Sequence, residues 1–86
     1  METKATGKAS HAEGRGTLAS GEYQHIQGKW NVEDIKRDTA GNAILDSEGK
    51  TQPANTYAHI VGNGTNQNKR SNAHTLDWKG NAWFAG

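Results

Sequence analysis

Between Met1 and Leu18 the chain carries no large apolar side chain; alanine, glycine, serine, threonine, His11 and charged residues fill the interval. Bulk then arrives singly, at Tyr23, Ile26, Trp30 and Val32, and later in pairs at Ile44-Leu45, Ile60-Val61 and Trp83-Phe84. Glycine recurs at 7, 14, 21 and 28, so no helix can run through the first third of the chain without a costly interruption. Short strands joined by tight turns fit this pattern, and we expect them over 17–20, 23–27 and 30–33.

The glycines belong to a longer phrase. Gly7-Lys-Ala-Ser-His-Ala-Glu-Gly-Arg-Gly-Thr-Leu-Ala-Ser20 is followed by Gly21-Glu-Tyr-Gln-His-Ile-Gln-Gly-Lys-Trp-Asn-Val-Glu-Asp34, which places His25 fourteen residues after His11. Thr3-Lys-Ala-Thr-Gly7 matches Thr17-Leu-Ala-Ser-Gly21, and Tyr57-Ala-His-Ile-Val-Gly62 copies Tyr23-Gln-His-Ile-Gln-Gly28. Ser71-Asn-Ala-His74 is a fainter echo, so all four histidines share one phase of the repeat. A period this short is too small for a pair of helices and suits one coil of two short strands and two corners. Glycine at positive φ would turn the corners. Coils stacked about 4.8 Å apart would set His11 over His25.

Ala9, Ser10, Ala12, Leu18, Ala19 and Ser20 cannot fill a wide coil. A thin coil in a chain of 86 residues needs a staple, and with no cysteine that staple cannot be a disulfide. Several chains sharing one axis would supply it. Ten basic and nine acidic residues, interspersed, leave a net charge of +1, which argues against a nucleic-acid partner. No apolar run is long enough for membrane insertion, and no signal peptide is visible. Met1 enters the repeat almost at once, as if the chain were a fragment of a longer one.

Three segments follow: repeats over 1–34, an insertion over 35–54, and a further copy with a terminal hairpin over 55–86. His25 to His59 is one period plus twenty residues. Within the insertion, Ile35-Lys-Arg-Asp38 and Ala43-Ile-Leu-Asp46 flank Thr39-Ala-Gly-Asn42, a hairpin pattern, and Ser47-Glu-Gly-Lys50 is a second turn. Asn63-Gly-Thr-Asn-Gln-Asn-Lys-Arg70 is a polar surface loop. Asp38-Thr-Ala-Gly-Asn-Ala-Ile-Leu45 aligns with Asp77-Trp-Lys-Gly-Asn-Ala-Trp-Phe84, which makes the chain end a second hairpin whose Asp opens the turn.

The histidines are the only tempting catalytic groups. No His-x-His or His-x-x-x-His pair occurs, so we expect a structural histidine ladder and no metal ligands, cofactor or catalytic residues. Glu13 beside His11 and Asp77 beside His74 could be drawn as acid–base pairs. However, the position of Glu13 is taken by Gln27 and Val61 in later copies. The Asp-x-x-Gly-Asn turns lack the alternating acids of a calcium loop. Trp30, Trp78 and Trp83 could stack on sugars, though packing is the commoner use of tryptophan in a small β protein.

Ala9-Ser-His-Ala-Glu-Gly14 with Thr17-Leu-Ala-Ser-Gly21 resembles the repeats of bacteriophage tail-fibre and appendage proteins, and is similar to the head repeats of trimeric autotransporter adhesins. The segments Tyr57-Ala-His-Ile-Val-Gly-Asn-Gly64 and Arg70–Gly86 look like those that follow such repeats in tail proteins of phages and prophages of Gram-positive bacteria. The resemblance covers about 3–34 and 55–86 and leaves out the insertion. It implies an all-β fold, a left-handed parallel β-roll (a β-solenoid) in a homotrimer followed by β-hairpins. It also implies a structural, non-enzymatic role in host attachment, on the virion tail or an extracellular surface. His11, His25, His59, Ile26 and Ile60 are then expected near the chain–chain interface, and Trp78, Trp83 and Phe84 in a terminal cap. The rival expectations are a fibre tip that binds bacterial cell-surface glycans, with Trp30 as a contact, and a metal-dependent enzyme built on the histidines.

Overall fold

The computed structural model describes residues 3–85. Met1, Glu2 and Gly86, at the outer ends of the first and third segments, lie outside them. Seven strands run in order: β1 (Lys4–Ala5), β2 (His11–Ala12), β3 (Leu18–Ala19), β4 (His25–Lys29), β5 (Tyr57–Asn63), β6 (Asn72–Asp77) and β7 (Ala82–Phe84). The described residues contain no helix. β1 and β3 form a two-stranded sheet, and the others form a five-stranded sheet in the order β2-β4-β5-β6-β7.

The fourteen-residue phrase sets the register of the first part. β1 lies parallel to β3 with Lys4 opposite Leu18, and β2 parallel to β4 with His11 opposite His25. Arg15 bridges Lys29 at the same offset. β5 then adds in parallel to β4, His59 beside His25 and Gly62 beside Gly28. Across the gap between the sheets, Ala19 packs on Ile26 and Ile60, all three without solvent exposure, and Ala12 and Tyr57 close the margin. Alanine on one side of the core allows the sheets to approach closely.

The seven-residue glycine spacing divides into two roles. Gly14 and Gly28 have φ near 99° and 98°, the positive values expected of corners. A Cβ on Gly14 would overlap the carbonyl of Gly28, and one on Gly28 would overlap that of Gly62, so backbone rests on backbone in this column. Gly7 differs: its φ is ordinary, but a Cβ there would strike the Gly21 carbonyl. The positive φ at that corner belongs to Ala9 and Tyr23, fourteen residues apart, at 54° and 57°.

Residues 30–33 do not form the expected strand. The Asn31 amide takes the place of a third strand: its Oδ1 accepts from Leu18 N at 2.8 Å and its Nδ2 donates to the Leu18 carbonyl at 3.2 Å. The chain then leaves for the insertion. Ile35 pairs antiparallel with Pro53, so the insertion is pinched at its neck and the chain returns to run beside β4 as β5. Arg37 pairs with Ala43, and Leu45 with Thr51, giving two successive hairpins. Asp34 holds the neck, its Oδ2 accepting from Gln24 Nε2 and from the backbone of Thr56 and Tyr57 at 2.7–2.9 Å.

The terminal hairpin forms as expected, with β6 antiparallel to β7. Its turn and both insertion turns are alike. Asp38, Asp46 and Asp77 each accept, through Oδ1, from the backbone N–H groups two and four residues on. Gly41, Gly49 and Gly80 supply the left-handed residue at φ 78–88°. The echo around His74 is not another coil, because β6 runs antiparallel to β5 with His74 opposite Val61.

The two glycine environments predict different costs. Gly14→Ala forces both a positive φ and a backbone overlap, and is expected to destabilise the fold by about 3 kcal/mol or more. Gly41→Ala meets open space and is expected to cost about 1–2 kcal/mol from its φ alone. Denaturant unfolding of the two variants, side by side, measures the difference; equal losses would contradict the backbone column.

Candidate functional site: a row of rings across the sheet

A row of rings crosses the five-stranded sheet, one contributed by each strand. His11 on β2 lies 4.6 Å from His25 on β4, ring centre to ring centre, and His25 lies 5.3 Å from His59 on β5. His59 is 5.6 Å from His74 on β6, and His74 stacks on Phe84 of β7 at 4.3 Å and 27°. The parallel half of the row comes from the repeat. The antiparallel half comes from the hairpin, whose register sets His74 opposite Phe84.

Each ring has a partner within the chain. Glu13 Oε1 lies 3.3 Å from His25 Nε2 and 3.9 Å from His11 Nε2. Gln27 Oε1 accepts from His59 Nε2 at 3.0 Å, and the Trp83 carbonyl accepts from His74 Nδ1 at 3.0 Å. One rule covers the first two: the residue two positions after a histidine reaches the histidine of the next strand. Glu13 therefore belongs with His25 more closely than with its sequence neighbour His11. Aligning the copies already places Glu13 and Gln27 at one phase; their reach into the next strand becomes visible only once the strands are paired in parallel.

His11, His25 and Glu13 stand about half exposed, while His59 is partly covered. Burial, followed by the neighbouring His25 and His74, lowers the pKa of His59 below the ordinary 6.5. Asp77 is not an acid–base partner for His74. Backbone N–H donation from Asn81, then its side-chain amide and the Lys79 N–H, lower the Asp77 carboxyl below its usual value and tie it to its turn.

Several expected site residues are placed elsewhere. Ile26 and Ile60 are wholly buried in the single chain's own core, so they have no surface to give to a chain–chain interface. Trp30 is 9% exposed, and a Cβ on Gly16 would overlap its ring; Arg70 sits 5.4 Å above it and donates to the Gly16 and Asn31 carbonyls. It therefore offers no free face to a sugar. Trp78, Trp83 and Phe84 are 53%, 51% and 71% exposed on the terminal hairpin. The buried polar set Gln24, Asn31 and Asp34 carries no periodic signal and was not legible beforehand. No family model, curated protein or solved structure matches the chain.

The lowered His59 pKa fixes a pH dependence. Between 6.5 and its folded value the unfolded chain binds more protons than the folded one, so stability is full above 6.5 and declines as pH falls through the folded pKa. Melting temperature is expected to drop between about pH 7 and pH 5, and less so in His59→Gln. A melting temperature that rises over that interval would contradict the row.

Proposed function

We propose that the chain is a structural segment of a bacteriophage or prophage tail fibre or appendage. It works as one of three copies wound as a left-handed parallel β-roll about a common axis, and supports attachment of the particle to its host cell. The observation that carries this reading is the in-register parallel stacking of His11, His25 and His59, which a fourteen-residue coil requires. The repeat's resemblance to fibre and adhesin-head phrases agrees with it. The core is thin, and Tyr23, Val32, Trp83 and Phe84 remain exposed in the single chain, apolar surface that a neighbouring copy would cover. The exposed apolar residues Tyr23, Val32, Trp83 and Phe84 are the interface we assign; the histidine row borders it, supported from within by Ile26 and Ile60. In this role the chain performs no catalysis.

Glycan recognition is the second reading, favoured by the half-exposed rings of Trp78 and Trp83. Titration with purified bacterial cell-wall polysaccharide would then change tryptophan fluorescence, and Trp83→Ala would abolish the change; an unchanged spectrum dismisses it.

Light-scattering mass measurement tests the leading reading. The expected species at micromolar concentration has three times the 9.3 kDa chain mass. A folded, stable species of single-chain mass would overturn it.

A further inference from the structure

The row brings together two histidines that the sequence holds fourteen residues apart, and puts a carboxylate between them. His11, Glu13 and His25 each direct one ligand atom into the same space, and these atoms lie within 4.8 Å of one another. We propose that this triad binds a divalent first-row transition ion of the zinc class, one per chain, with water completing the coordination.

The distances suit such an ion. Zinc bonds imidazole nitrogen and carboxylate oxygen at about 2.0–2.2 Å, so neighbouring ligands in a tetrahedron stand roughly 3.4 Å apart. Glu13 Oε1 is already 3.3 Å from His25 Nε2 and 3.9 Å from His11 Nε2. All three side chains are about half exposed, which leaves their rotamers free to draw the two imidazoles together from a separation of at most 4.8 Å. The backbone under them is fixed, since Glu13 N donates to the Ile26 carbonyl at 3.0 Å and His11 N to the Gln24 carbonyl at 2.8 Å. Two neutral imidazoles and one carboxylate favour zinc, nickel or copper over magnesium and calcium, which prefer all-oxygen sets.

The sheet also contains its own control. One strand further on, His25, Gln27 and His59 repeat the arrangement, with Gln27 Oε1 3.0 Å from His59 Nε2. The amide is neutral and already accepts the imidazole N–H, so this second trio lacks the anion that a cation needs. The difference between a site and its look-alike is a single charge. The site is complete within one chain and does not depend on the trimer.

Calorimetric titration of the full chain with zinc chloride and, separately, magnesium chloride tests the assignment. Zinc is expected to bind with one ion per chain and magnesium not to bind. Glu13→Gln and His11→Gln are each expected to weaken zinc at least ~10-fold, the loss seen when even a supporting group of a metal site is removed. Because the two trios share His25, Gln27→Glu introduced together with Glu13→Gln is expected to restore a single zinc equivalent, at the second trio. In the unsubstituted chain, zinc is expected to shift the ring-proton resonances of His11 and His25 and leave those of His74 in place, a readout that needs no variant. Absence of zinc binding, binding that Glu13→Gln leaves unchanged, or shifts centred on His74 would each overturn the proposal.

Discussion

At Gly14 and Gly28 successive passes of the chain lie so close that a β-carbon would enter the carbonyl of the glycine on the next pass, and at Gly62 it would meet the backbone of Lys29 and Asn31. Contact of this kind is available only to glycine, and it fixes the spacing of the strands where they leave the corner. Once β2, β4 and β5 are held there, their hydrogen bonds admit one register, and like residues fall beside like. Ala12 and the two isoleucines then face inward and the histidines outward. A core of alanine against isoleucine is thin enough to match the short corners. The fold is a consequence of what the glycine column permits.

Stacking a repeat in register has a chemical cost and a chemical use. Imidazoles 4.6–5.6 Å apart repel one another when charged, and the chain answers with a carboxylate in the first gap and an amide in the second. In the two-stranded sheet β3 has no third strand to pair with, and the Asn31 amide bonds Leu18 in its place. Gln24 and Asp34 likewise bond the backbone of Gly21, Thr56 and Tyr57 from their side chains, and no buried side-chain polar atom among the described residues lacks a partner.

The periodic part of this architecture was legible in the sequence. Glycine spacing and the duplicated phrase place His11 beside His25 and His25 beside His59, and Asp-x-x-Gly-Asn marks two of the hairpin turns. Asp46 makes a third such turn with Lys50 in place of asparagine, since the geometry needs the aspartate and the glycine but not the residue after them. Positions decided by a single tertiary contact were not legible. Trp30 reads as a strand residue or a sugar platform until Arg70, forty residues away in sequence, closes over it. His74 reads as a repeat copy because its phase is right, while its strand runs the other way. Ile26 and Ile60 read as interface because the coil looks too thin to cover them, yet Ala19 from the opposite sheet does so.

Every later inference rests on His11, His25 and His59 lying side by side on parallel strands of one chain. Nuclear Overhauser contacts measured on a mixture of isotope-labelled and unlabelled chains test this most directly, because the mixture separates contacts within a chain from contacts between chains. The account predicts cross-strand contacts that join His11 to His25 and His25 to His59, arising within single labelled chains. Contacts of antiparallel type between these strands, or contacts found only between different chains, would contradict it.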